Sequence, residues 1–409
     1  MSNNTLDGCQ SHKQSQDMKS MPDITGVGVL IGFIAPAYFL LFIVCVYYII
    51  TYDPKLNPYK EEKENKACFH PNPFDQLVLQ VIRRLLRVKA PGQRKPYISK
   101  ALQDAFNKCV LLIADTQVIT GLAILIGGYV SRSDLAALHW KMIVYLVWFS
   151  CTTHLSTLVF LRRYLIEHPA ERWWRLVSMS TLLLLCLVAM VPTGHFYWDY
   201  LHSEMLYNPV NSSSDLAVPY FDASPWDNAT CYFNSNFDSV IPGGKNSMII
   251  SMLLMSLGFS TKLFKLHRRI LWLRTDSISQ RVVGCILRSA SFFQKYFGIS
   301  TLQDRIVSNI IISAHMTVCI WVELYASMAS DVYWLIVSVI WGTMKVLDLR
   351  VILDYSKNQD NSWSFGQVLP VLLLALPLIN LIELFLKSIF SEDKMTDLHN
   401  NHPTQHTGT

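Results

Sequence analysis

The chain has 409 residues, 51% of them apolar and only 16% charged, with a formal net charge of +5. A soluble chain carries about a quarter charged residues. Here the apolar residues gather into runs of about twenty, long enough to cross roughly 30 Å of hydrocarbon at about 1.5 Å per residue. The composition therefore describes an all-α, polytopic transmembrane bundle, and excludes nucleic-acid readers, secreted disulfide scaffolds and cytosolic dinucleotide-binding enzymes.

Residues 1–23 form a polar tail without a basic patch. The apolar run that follows is too long for a signal peptide, so it is expected to remain as an anchor. The first span is placed at about 25–50. The basic segment 51–105 comes next, with eleven Lys and Arg. Within it QLVLQVIRRLLRVK (76–89) sets Leu77, Val81, Leu85 and Val88 on one helical face with arginines beside them. An interfacial helix on anionic lipid has this pattern, and so does a solvated basic connector. Spans follow at about 108–130, 142–161 and 174–193, the second of these starting nearer Leu135 if His139 and Lys141 snorkel. The connection 162–175 adds Arg162, Arg163, Arg172 and Arg175. The 194–245 loop has one cation, Lys245, against six acids. A fifth span is expected at 247–265, the 262–305 segment brings nine more Lys and Arg, and further spans fall at 306–327, 332–350 and 366–389. The seventh is interrupted by Lys345 and Asp348, so eight spans are expected with seven as the fallback. The tail 391–409 is polar and expected to be disordered.

An excess of Lys and Arg marks the cytosolic side, so the three basic connections are assigned there and the acidic loop and N-terminal tail to the lumen. Glycosylation sequons at Asn3, Asn211 and Asn228 all fall on the lumenal side of that arrangement. It makes residues 24–390 an integral-membrane bundle, expected in the endoplasmic reticulum. The nine cysteines form no CxxC pair and no metal spacing, so no metal is expected. Cys231 is the only one in the acidic loop, where a bridge to Cys9 is open to it. Gly28 and Gly32, and Ala123 with Gly127 and Gly128, have the spacing that lets helices approach closely. Pro36, Pro370 and Pro377 lie inside spans.

Ionisable residues at membrane depth cost a few kcal/mol or more unless paired, neutralised or hydrated, so they are informative. Asp115 lies about 10 Å above the cytosolic end of the second span and His154 about 12 Å above that of the third. These antiparallel neighbours can bring the two together, with Gln117, Thr120, Thr152 and Thr153 nearby and Lys345 and Asp348 approaching the same level. A second group is placed nearer the lumen: Glu323, on one helical face with His315 and Cys319, and Glu383, with His139 and His195 at helix ends. Interhelical hydrogen bonds, an Asp115–Lys345 ion pair and interfacial carboxylates are the bland alternatives. Trp148, Trp321 and Trp341 accompany the acids, and aromatic faces stabilise cations by about 2 kcal/mol or more when water is excluded. Trp140, Trp198 and Trp334 suit interfacial anchoring.

The stretches ADTQVITGLAILIGGY (114–129), HWKMIVYLVWFSCTTHLSTL (139–158), HPAERWWR (168–175), PTG (192–194) and SWSFGQVLPVLL (362–373) together resemble a broad family of fungal multi-pass proteins of natural-product gene clusters. A subset of that family resembles the membrane-bound terpene cyclases of meroterpenoid pathways of the macrophorin and ascofuranone type. The resemblance implies protonation-initiated cyclisation of the farnesyl chain of an aromatic substrate or its epoxide, with no cofactor. It also implies a dry apolar cavity and coupling to a membrane prenyltransferase and epoxidase. It carries no catalytic motif. The donor must be a neutral carboxylic acid, which burial favours. Asp115 and Glu323 are the first candidates and Glu383 the third, with His154, Trp148, Trp321 and Trp341 as substrate-binding candidates. Asp115 is a poor donor if it faces Lys345. The expected partners are an apolar prenylated substrate and the bilayer, with no nucleic acid. The alternative is a receptor or transporter that binds a small ligand with the same polar cluster.

Overall fold

A computed structural model describes residues 21–54, 72–88, 100–196, 225–233 and 242–266, then 310–355 except 311, 312, 315, 318, 319 and 322, and finally 363–400. Among these residues the protein is helical with one isolated bridge, Ala136 to Asn228. The long helices are α1 (Val27–Ile50), α2 (Pro73–Leu85), α3 (Lys100–Val130), α4 (Ala137–Phe160), α5 (Pro169–Met190), α6 (Pro242–Leu266), α7 (Met328–Tyr355) and α8 (Phe365–Asn400). Four stretches among the described residues are long and apolar enough to cross a membrane: Pro22–Ile50, Phe106–Val130, Ala137–Phe160 and Pro169–His195.

α4 is the axis of the bundle. It packs against α1, α3, α5, α6 and α7, and 94% of its apolar stretch is buried, against half or less for the other three. A helix buried all round needs side chains that suit protein neighbours on every face. α4 has them: Trp140 donates to the Ala189 carbonyl at 3.0 Å, Trp148 to the Ser338 carbonyl at 2.9 Å, and Ser150 to Gln117 at 3.2 Å. Its N-terminus begins at Ala137, nearer the early start that snorkelling would allow. The free N–H groups of that first turn are met by the acidic loop, which folds back over it. Ala137 N donates to the Asp227 carbonyl at 2.8 Å and Leu138 N to the Pro225 carbonyl at 3.0 Å, while Ala229 N returns a bond to the Leu135 carbonyl. Main-chain donors of a buried helix end are thus satisfied by a neighbouring segment.

Side-chain contacts fix the helix directions. α8 starts beside the start of α1, where Gly28 N donates to Gln367 Oε1 at 3.3 Å and Ser364 hydrogen-bonds Asp23. α7 starts at the opposite end, the basic one, where Lys265 of α6 meets Asp331 at 2.8 Å and the Ser327 carbonyl at 3.0 Å. Further along, Trp341 donates to Ser251 at 2.9 Å, so α6 and α7 are antiparallel. The described end of the expected sixth span, 306–327, lies at this basic end, and most of its earlier part is outside the described residues. Glu323 and Ser327 both contact residues of the basic end, and α7 leaves from there. An apolar run by itself does not say from which end the next helix leaves; the pairing of Asp331 with lysines does. Glu323 is consequently at the basic end, and the reversal of α7 takes Lys345 and Asp348 to the other end.

Gly28 and Gly32 are the close approach that their spacing predicts. A Cβ on Gly32 would lie 2.3 Å from the Pro370 side chain, and one on Gly28 2.6 Å from the Gln367 carbonyl. Gly127 has nothing within 4 Å, so the Ala123–Gly127 pair makes no such contact there, while Gly128 faces Ile143. Gly32→Val is expected to lose about 1–3 kcal/mol by forcing α1 from α8, and Gly127→Val to stay within about 1 kcal/mol. Thermal unfolding of the two purified variants in one detergent checks the contrast.

Candidate functional site

The polar residues of the bundle fall into an inner group around α4 and a clamp at the basic end. In the inner group Asp115 of α3 is held by Arg175 of α5. Arg175 Nε and Nη2 donate to Oδ1 and Oδ2, both at 3.1 Å, and Nη1 donates to Glu171 at 2.8 Å. The guanidinium also lies over the Trp174 ring, 4.9 Å from its centroid. Tyr164 donates to Glu171 in turn. A planar guanidinium in this position bridges two carboxylates with charge-assisted hydrogen bonds. Asp115 therefore meets neither Lys345 nor a neutral wall, and its chemistry is that of an ion-pair anion.

His154 is buried one helix away, hydrogen-bonded to the backbone of Ala114 on α3 and close enough to Arg175 to feel its charge. Its Nε2 has no hydrogen-bond partner among the described residues, and neither has the Thr153 hydroxyl. A buried polar atom left unpaired costs about 1–3 kcal/mol, so such atoms mark places where a ligand's polar group would be welcome.

Trp148 and Trp341 lie within the bundle, each tied through its indole N–H to a neighbouring helix. A Cβ on Gly342 would stand 2.7 Å from the Trp148 ring, so this indole is in contact with α7 backbone. Lys345 sits over Trp341, 5.4 Å from the ring centroid, and 3.9 Å from Asp348. Trp321 is exposed near Glu323, and Glu383 is exposed about 27 Å along α8 from its start, again towards the basic end. His315 and Cys319 lie outside the described residues. The structure thus brings Asp115 and His154 onto adjacent helices, and leaves Trp321 and Glu383 exposed.

The basic-end clamp is built from residues that the sequence pattern did not single out. Asp75 of α2 is buried and accepts four hydrogen bonds: Tyr48 at 3.2 Å, Tyr52 at 3.3 Å, and the main-chain N–H groups of Met328 and Ala329, both at 2.9 Å. It thereby caps the start of α7, where an anion is favoured by the helix dipole. Burial and the adjacent Asp75 push the Tyr52 phenol well above its ordinary value, so it stays a donor throughout the physiological range. Asn72 caps α2 through bonds from Phe74 N and Asp75 N, and donates to the Glu323 carbonyl at 2.8 Å. Arg83 closes the end of α1 by donating to the Ile49 carbonyl at 2.7 Å and the Tyr52 carbonyl at 2.6 Å. Beside them Asp331 takes Lys265 at 2.8 Å and Lys262 at 3.6 Å. The one trace of this in the sequence was Asn72-Pro73-Phe74-Asp75, a helix-start pattern.

Among the sequons, Asn228 uses its side chain structurally. Its oxygen accepts from Thr230 N at 2.9 Å and its amide donates to the Ser133 carbonyl. Asn3 and Asn211 lie outside the described residues. Cys231 is in a disulfide whose partner also lies outside them. No group of three or more potential metal ligands occurs among the described residues.

No protein-family model matches the chain, and no solved structure matches it. A curated relative is the protein named "Elsinochromes biosynthesis cluster protein HP3" from Elsinoe fawcettii, 25% identical over 142 residues. That alignment takes in 35% of this chain and 47% of the relative, so the chain spans about half the length of the protein that it matches.

Proposed function

We propose that the protein is an integral-membrane component of secondary-metabolite biosynthesis that binds an amphiphilic metabolite and cyclises its prenyl chain by protonation, without added cofactor. The observation carrying this reading is His154 Nε2, a buried polar atom awaiting a partner beside an ion pair that holds α3 to α5. A phenolic head bonded there would leave a farnesyl tail among apolar side chains, with Trp148 and Trp341 as its aromatic walls. The likeness to a biosynthesis-cluster protein and the five sequence stretches quoted above support the pathway context. The initiating proton is assigned away from Asp115, because Arg175 occupies both of its oxygens, and Glu323 and Glu383 remain as donor candidates. Such a substrate requires a prenyltransferase and an epoxidase upstream.

In this reading the helices α1, α3, α4, α5, α6, α7 and α8 cross the bilayer in alternating directions, giving seven spans with the acidic loop outside. The Cys231 disulfide agrees, since such bonds form in oxidising compartments. Endoplasmic-reticulum residence is the matching location.

Microsomes bearing the protein, given farnesylated phenols and their terminal epoxides, are expected to yield a cyclic isomer of unchanged mass. Linear substrate throughout would overturn the cyclase assignment. His154→Phe is expected to cut turnover at least tenfold while thermal stability stays within about 1 kcal/mol, because the variant removes an unsatisfied atom together with a bonded one. Unchanged kcat/KM in that variant would detach His154 from the substrate.

One observation favours a second reading, a small-molecule receptor or transporter. The contacts of Lys262 and Lys265 with Asp331 join α6 to α7 at one end, and their release would let the pair part there. Uptake of a labelled metabolite into proteoliposomes, measured beside product formation, separates the two.

A further inference from the structure

α2 presents two faces of opposite character, and among the described residues only one of them has a partner in the bundle. Asp75, Leu79 and Arg83 recur every four residues and point inward, where Asp75 and Leu79 are buried and Arg83 closes α1. On the other side Leu77, Val81 and Leu85 recur at the same interval and are 62%, 58% and 81% exposed. Phe74 and Leu86 extend this apolar strip at either end. Arg84 and Arg87 flank it and, with Gln80, Val81 and Leu85, line a shallow recess.

The end of α2 fixes the position of one of those cations. Val88 N bonds the Arg83 carbonyl at 2.8 Å and Arg87 N the Arg84 carbonyl, a turn that puts Arg87 in the left-handed region with φ 55°. Glycine is the usual residue there, because a side chain costs about 1 kcal/mol or more. An arginine in that place is held against a local preference, beside the recess.

The level of α2 relative to the bilayer is set by its anchors. It is fastened to the last turn of α1 and the first turn of α7, so it lies at the ends of the spanning helices. Trp173 and Trp174 at the start of α5 and Tyr333 and Trp334 near the start of α7 are exposed at that same end, as aromatic side chains are at a membrane–water boundary. The described part of 310–326 adds exposed Ile320, Trp321 and Tyr325 next to Asn72.

We propose that α2 is a membrane-parallel helix whose Leu77–Val81–Leu85 face is seated in the cytosolic leaflet, with Arg84 and Arg87 holding the phosphates of anionic lipid headgroups. An apolar strip at the helix-end level with cations on its flank fits a headgroup–acyl boundary, where each basic residue adds about fivefold in preference for anionic lipid. The polar clamp explains why the helix keeps this orientation: rotating it would pull Asp75 from four donors.

The test uses the full-length protein in nanodiscs of phosphatidylcholine with or without phosphatidylserine. An environment-sensitive fluorophore is attached at Leu85→Cys, with label on the native cysteines subtracted using the unsubstituted protein. Quenching by bromines on the lipid tails, stronger for brominated phosphatidylserine than for brominated phosphatidylcholine, is the expected result. Adding R84Q and R87Q should reduce the phosphatidylserine preference by about twenty- to thirty-fold. Quenching by aqueous iodide in place of brominated lipid would overturn the proposal, as would a preference unchanged in R84Q/R87Q. R87G keeps the proposal falsifiable against a purely structural role for Arg87. It should fold at least as stably as the parent and still lose about fivefold in anionic preference; no loss would count against the role given to Arg87.

Discussion

Asp75→Ala is expected to remove most folded protein from the membrane, with a loss of about 3–5 kcal/mol. The carboxylate accepts from two buried tyrosines and two main-chain N–H groups at once, and alanine leaves all four donors without that acceptor. Native stabilities lie at about 5–15 kcal/mol, so this one substitution approaches the whole margin. Asp75→Asn keeps one carbonyl oxygen and should fall between the two. Tyr48→Phe and Tyr52→Phe each remove one donor while leaving the capping of α7, and should cost about 1 kcal/mol apiece. Yield and melting temperature of the detergent-solubilised protein check the order, parent above tyrosine variants above Asn above Ala. An Asp75→Ala protein that melts within a degree or two of the parent would show that the clamp does not hold α2, α1 and α7 together.

The second large effect is expected at Arg175. Arg175→Met leaves Asp115 and Glu171 without the guanidinium between them, and should cost about 2–3 kcal/mol, below a fully enclosed pair because the Asp115 side chain retains 25% exposure. The double variant Asp115→Leu/Arg175→Met replaces the ion pair by apolar groups in an apolar setting, and should recover most of that loss. The same pair decides the chemistry. Were Asp115 the proton donor, the double variant would be stable and inactive; with Asp115 as a positioning anion, turnover per folded molecule should stay within a few-fold of the parent. Glu323→Gln and Glu383→Gln, assayed alongside, then identify which remaining acid the reaction needs.

What the sequence made legible was decided by local pattern. Apolar runs gave α1, α3, α4, α5 and α6 closely, and the Gly28–Gly32 spacing marked the α1–α8 contact. The apolar face of 76–89 was visible too. Hydropathy has no sense of direction: Lys262, Lys265 and Asp331 belong to segments more than sixty residues apart, and only their pairing shows which end α7 leaves from. That one reversal moved Glu323, Lys345 and Asp348 to the opposite ends of the bundle. Asp115 stood out as a charge within an apolar run, yet its partner was counted among the loop cations, since Arg175 sits at the margin of its span and reaches inward. Asp75 stood among so many lysines and arginines that nothing in the local pattern marked it.

The enclosure of α4 bears on how the chain is made. It is among the helices long enough to cross, yet it carries His139, Lys141, His154 and a ladder of hydroxyls on faces that in the finished protein meet other helices and the acidic loop. Before those helices arrive during synthesis, the same groups would confront acyl chains, at a cost the segment cannot meet through its own apolarity. α4 is thus expected to leave the translocation machinery as a hairpin with α3, joined by the short turn at residues 131–136, and to settle only when α5 and later helices close around it. Truncated chains ending after α4 should remain extractable or be cleared by quality control, while chains extended through α7 should be retained.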